Sequence, residues 1–214
     1  MLDGIIKMNS FGTRLTGSTG HTDFINWLKS EITKMDIPIF SDPFYFRRWE
    51  EKHSSIEIIG DNENIQIPVS SAYPYSGETP AEGITEELVY VDSLADVGKI
   101  SGKIAVFNIS NVNFLPSEIA FDKRTSYPEN VVLEKKYEGP VITSFVQCFY
   151  GIISKLFKAK AVILIWKGLH DDCIKGQYLS FIMGYQNIPM LWVNETEGKK
   201  IIEAANEHKK AKFV

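Results

Sequence analysis

The most regular hydrophobic pattern in the chain runs from Thr19 to Met35, where Phe24, Trp27, Leu28, Ile32 and Met35 recur at i, i+3, i+4, i+8 and i+11. That stripe predicts an amphipathic helix. Ser18 or Thr19 can accept a hydrogen bond from an orphan first-turn N–H, Asp23 lies where the helix dipole favours an anion, and Pro38 stands beyond the end. Downstream the pattern turns to short aromatic and β-branched runs. PIFSDPFYFRRWE (38–50) and SSIEIIG (54–60) predict an extended antiparallel pair, followed by a polar turn at DNEN (61–64).

Proline and glycine break up 65–84, IQIPVSSAYPYSGETPAEGI, which predicts an irregular but ordered crossing pinned by its tyrosines. EELVYVDS (86–93) and GKIAVFNIS (102–110) predict two short buried strands joined by a turn-rich link. Residues 111–140 mix proline, charge and aromatics without a period and predict a long insertion. Helical spacing returns at ITSFVQCFYGIISKLFKAK (142–160). AVILIW (161–166) is a continuous apolar run of the type buried on both faces of a sheet. IPMLWVN (188–194) predicts another strand, and ETEGKKIIEAANEHKKA (195–211) a helix capped at Asn194 or Thr196. KFV (212–214) predicts a final strand. No repeat is visible at any period of about 20 to 50 residues.

Strands alternating with helices place the chain in the α/β class. Its 214 residues can bury a substantial core, and 44% hydrophobic with 23% charged residues is ordinary for a folded chain. The net charge of -4, without a lysine or arginine stripe, argues against nucleic acid as a partner; Lys209, Lys210 and Lys212 predict a solvated end. The first residues carry no signal-peptide pattern, and runs such as AKAVILIW fall well short of the roughly 20 residues a membrane span needs. The expected localisation is therefore cytoplasmic by default, with no membrane partner. Cys148 and Cys173 form neither a CxxC nor a disulfide framework, which predicts two thiols.

The candidate chemistry is sparse. His21 and Asp23 are spaced like metal ligands on a strand, but two residues apart on a helix they point about 200° apart and cannot grip one ion. Their expected role is at the helix start. LHDDC (169–173) gathers possible ligands in a loop with no matching second cluster. No GxSxG elbow, GxGxxG or Walker lysine pattern occurs, and Cys148 is expected to be inert packing. No catalytic or metal-binding residue is therefore assigned. Contact with a peptide or carbohydrate is expected first along 70–79 and 167–181, through Tyr73, Tyr75, His170, Asp171, Gln177 and Tyr178; Tyr73 and Tyr75 can equally serve to anchor a proline-bent crossing.

Two portions resemble the front of the co-catalytic zinc aminopeptidases, the superfamily that includes glutamate carboxypeptidase and the transferrin receptor. FGTRLTGSTGHTDFINWLKSEITKMDI (11–37) resembles their opening segment, in which an Arg, a Thr-Gly-Ser and a short loop precede an amphipathic helix. GITEELVYVDS, ADVGKISGKIAVFNIS, FKAKAVILIW and IPMLWVNETEGKKIIEAA, spread over about 83–213, resemble a protease-associated domain. In these fragments Gly98 and Gly102 supply turns before a strand, Ala159 and Ala161 let a helix end closely, Pro189 starts a strand at an edge, and Gly198 lies in the first turn of a helix.

The resemblance implies an N-terminal helical segment over 1–37 and a protease-associated-like domain over 38–214, a barrel or sandwich of mixed strands flanked by a few helices. It implies a non-catalytic module that covers a cleft and helps to admit or select peptide substrates. The family's zinc ligands lie in a catalytic domain after this module, so zinc is expected there and not on this chain. Peptide or protein substrate would be met through that adjoining domain. The stripe of Phe24, Trp27, Leu28 and Ile32 is expected to fold back or to mediate self-association. The alternatives are a stand-alone peptide-binding or receptor-like module, and an autonomous metal-dependent hydrolase built from His21, Asp23, His170 and Asp172.

Overall fold

The computed structural model describes residues 2–12, 14–110, 147–175 and 184–214. The expected insertion at 111–140 lies outside the described residues. The chain forms two compact units, Met1–Trp49 and Glu50–Val214.

The first unit contains helices α1 (Leu2–Ser10) and α2 (Thr19–Thr33). Of the two candidate caps for α2, Ser18 takes the role: its backbone is extended and its hydroxyl accepts from the His21 N–H at 3.1 Å. Phe24 and Trp27 meet Phe11 in a three-ring cluster with centroids 5.7–6.0 Å apart, and the Arg14 guanidinium lies over Phe24 at 5.3 Å. Residues 37–50 form no strand, against the expected pairing with 54–60. Pro38 and Pro43 remove two ladder donors from that run, and the partners of 56–58 come from elsewhere in the chain.

Among the described residues the second unit is an α/β module built on one eight-stranded mixed sheet. Its strands are β1 (Ile56–Ile58), β2 (Ile65–Ile67), β3 (Ser71–Ala72), β4 (Ile84–Val91), β5 (Ile104–Ile109), β6 (Ala161–Trp166), β7 (Met190–Asn194) and β8 (Lys210–Phe213), in the order β2-β1-β8-β4-β5-β6-β7-β3. Strands β4, β5, β6 and β7 run parallel, and the outer pairings are antiparallel. DNEN is the expected turn, but it closes a β1–β2 hairpin whose second strand, Ile65–Ile67, lies in the run expected to be irregular. The terminal run becomes an interior strand, β8, between β1 and β4. Pro189 precedes β7, which is one strand in from the edge; the edge is the two-residue β3, and the Pro189 carbonyl accepts from the Val162 N–H at 2.9 Å.

All six residues of β6 are at most 1% exposed, the double-sided burial its sequence predicts. On one face Ala105, Phe107, Val162, Leu164, Trp166, Met190 and Trp192 form the main core with Cys148 of α3 (Cys148–Leu156) and Ile174 of α4 (Asp171–Lys175). Residues of opposite parity, including Ile163 and Ile165, face α5 (Glu195–Asn206), whose Gly198 comes against Ile165. Helices thus cover both faces of the parallel strands. Among the described residues β4 joins the two parts of the sheet, its first half pairing with β8 and its second half with β5.

Candidate functional site

The carboxyl ends of parallel strands are where open α/β sheets commonly gather polar residues. Here β6 runs into α4 and β7 into α5, and Asp171, the first residue of α4, ties the ends together. Its Oδ1 accepts from Ser70 Oγ at 2.5 Å and from Asn194 Nδ2 at 3.3 Å, while Oδ2 pairs with Lys175 Nζ at 2.6 Å. Asn194 also caps α5 by accepting from the Glu197 N–H at 3.0 Å. The hydrogen bond from Lys175, followed by that from Ser70, holds the Asp171 carboxyl below the ordinary carboxylate range, against the opposing effect of burial.

A carboxyl with a depressed folded-state pKa stabilises the fold above its unfolded value, and this contribution is lost as pH falls through the folded value. Asp171→Asn should therefore destabilise the chain by about 1–2 kcal/mol near neutral pH. The loss should shrink below the unfolded carboxyl value of about 4. Thermal melts of both proteins across that range check this; a constant difference at all pH values would remove Asp171 from the acid response.

A second polar cluster lies along β4. Glu87 pairs with Lys103 at 2.8 Å and His208 at 3.1 Å, and Lys103 foremost lowers its pKa. Asn108 Nδ2 donates to the Tyr90 hydroxyl at 2.6 Å, which in turn donates to Asp92 at 3.0 Å. Asp96, in the 3-10 turn Leu94–Lys99, receives Lys99 Nζ at 2.7 Å and the Ser93 hydroxyl at 2.8 Å, holding its carboxyl at about 2. Of these, Glu87, Tyr90, Asp92, Asp96, Lys99, Lys103 and His208 border a groove of about 590 Å³. No local pattern marks this cluster, because its members are scattered from 87 to 208 and the β4–β8 and β4–β5 registers bring them together.

The residues selected from sequence separate in space and in role. Tyr73 is 2% exposed and stands edge-on to Trp192 at 5.0 Å, so its ring is part of the core and not an exposed contact surface; burial drives its hydroxyl pKa far up. Tyr75 is half-buried in a left-handed conformation, edge-on to Tyr185 at 6.1 Å. Asp171 belongs to the strand-end network. His170 is exposed and its Nδ1 accepts from the Asp172 N–H at 3.3 Å. Gln177 and Tyr178 lie outside the described residues. Cys148 is buried, Cys173 is exposed, and neither forms a disulfide.

A zinc ion needs three or four protein ligands converging tetrahedrally. Among the described residues no group of three His, Cys, Asp or Glu side chains converges to hold a metal. His21 and Asp23 diverge on α2, and His170 with Asp172 is a pair without a third member. The donor set described does not fit a zinc site.

The sequence matches no protein-family profile and no curated protein. Its fold does match solved structures. A crystal structure of a peptidase M28 precursor from Shewanella amazonensis SB2B superposes with a TM-score of 0.58 at 14% identity, over 99% of this chain and 45% of that one. Two structures of BSAP, a zinc aminopeptidase from Bacillus subtilis, superpose with TM-scores of 0.52 and 0.51 at 18% and 15% identity, over 96% and 95% of this chain. The chain spans 40% and 39% of their length. The fold is thus shared with part of each of these peptidase structures.

Proposed function

We propose that this chain is the accessory front of a zinc aminopeptidase-like hydrolase, an N-terminal helical segment over 1–37 with a protease-associated-like module over 38–214. In this reading it supplies no zinc ligand or catalytic side chain; it covers the cleft of an adjoining catalytic region and helps to admit or select peptide substrates. The observation that carries the reading is the asymmetry of the superpositions, which take in 95–99% of this chain but only 39–45% of the peptidases. The apolar surface of the run that follows the helical segment agrees with it. Phe40, Phe44 and Tyr45 are 92%, 72% and 98% exposed, more aromatic surface than an independent unit normally leaves in water.

The test is made on the purified chain, by zinc content after dialysis against trace metal and by hydrolysis of aminoacyl p-nitroanilides. The expected result is no retained zinc and no turnover above buffer. Stoichiometric zinc together with turnover would replace this reading by an autonomous hydrolase.

A further inference from the structure

We propose that the upper half of β4 is a peptide-docking edge, to which an extended peptide carrying a basic side chain adds as a strand in the line of β8. The inference rests on this module's own sheet and requires no catalytic partner.

The pairing register defines the edge. Strand β8 is paired to β4 from Ile84↔Phe213 to Glu87↔Lys210, and the last rung is the Leu88 N–H donating to the Lys209 carbonyl at 3.0 Å. The Lys209 N–H does not return to Leu88; it donates to Ala204 at the end of α5. There the chain turns away from β4, with His208 in a left-handed conformation. Backbone groups on a strand point to alternate sides with a period of two, so the Leu88 carbonyl and both backbone groups of Tyr90 face the side that β8 has left. On the other side β4 is fully engaged by β5 from Leu88 to Val91. No strand of the described residues pairs with the open side beyond Leu88.

This half-edge is not a flat surface exposed to water. It forms part of the 590 Å³ groove, with Asp96 and Lys99 of the 3-10 turn and Asn206 and His208 at the end of α5 among the other lining residues. Unpaired strand edges recognise extended peptides through main-chain hydrogen bonds, with alternate side chains providing specificity.

Charge selects the occupant. Glu87 is matched by Lys103 and His208, and Asp96 by Lys99. Asp92, at the end of the open edge, accepts from the Tyr90 hydroxyl and forms no salt bridge among the described residues. A lysine or arginine side chain on a docked strand would pair with this carboxylate. Leu88 to Asp92 is five residues, about 16 Å of strand at roughly 3.3 Å per residue.

The probe is the blocked pentapeptide Ac-Thr-Val-Lys-Val-Thr-NH2, titrated to millimolar concentration against the full ¹⁵N-labelled chain and followed by backbone amide shifts. Saturable shifts are expected at Tyr90 and Asp92. Strand addition uses only alternate peptide N–H groups. Methylating either the two valine amides or the lysine and threonine amides should therefore weaken binding roughly tenfold for one set and much less for the other. Replacing the peptide lysine by glutamate, or Asp92 by asparagine in the chain, should weaken binding roughly threefold or more. Asp92 is on the surface, so the Asp92→Asn protein is expected to keep the wild-type spectrum away from the groove. The proposal is overturned if Tyr90 and Asp92 do not shift, if the shifts map elsewhere, or if both methylated sets bind like the parent. That last outcome would mean that the peptide is held by its side chains and does not pair as a strand.

Discussion

Trp192→Ala is expected to destabilise the second unit by about 3–5 kcal/mol, a large part of the 5–15 kcal/mol that holds a typical domain folded. Trp192 is 0% exposed in β7, with its ring 5.2 Å from Trp166 and 5.0 Å from Tyr73. Its indole Nε1 donates to Gln147 Oε1 at 2.6 Å, which satisfies two buried polar groups at once. Alanine removes the ring from the centre of the core and leaves the Gln147 oxygen without its donor. Trp192→Phe separates the two effects: it keeps an aromatic ring but orphans Gln147, at an expected cost of about 1–3 kcal/mol. Urea unfolding followed by far-ultraviolet circular dichroism checks both. Equal losses would make the hydrogen bond, not ring packing, the dominant contribution.

The same residue marks what the sequence could convey. The runs 161–166 and 188–194 are apolar enough to be read as interior strands, and α2 and α5 were legible from their stripes and caps, because burial and capping are local in sequence. Residues 38–50 are the counter-example: the aromatic run looks like a strand, but strand formation needs a partner, and β2 and β8 pair with β1 instead. Helix α1 is less legible: Leu2, Ile5 and Ile6 have helical spacing, but a nine-residue helix shows that stripe over little more than one turn.

Tyr73 shows why the site was harder to read than the fold. In sequence it looks like Tyr75, since both flank Pro74 in a polar stretch. One contributes to the core and the other sits half-buried in a left-handed turn. Nothing local distinguishes them; the antiparallel rung Ala72↔Leu191 places Tyr73 over Trp192. The β4 groove is non-local to a still greater degree, since it exists only because β8 ends one rung beyond Glu87. Pairing register, not residue spacing, creates it.

Gly198 provides the sharpest opposition between local and tertiary rules. Gly198→Ala should stabilise an isolated helix by roughly 1 kcal/mol, because glycine is a poor helix former. In this fold a Cβ at 198 would lie 2.2 Å from Ile165 Cγ2 and 2.9 Å from its Cγ1. Ile165 is 1% exposed in the middle of the sheet and β-branched, so it has little room to change rotamer. The helix must therefore move away from β6, and the expected net result is a loss of about 1–3 kcal/mol. Ile165→Ala, costly alone, removes both clashing carbons, so the glycine substitution should lose most of its penalty in that background. A double-mutant cycle measured by chemical denaturation reads this coupling directly. If the two losses simply add, α5 has another means of accommodating a side chain at 198, and close contact with β6 is not what requires glycine there.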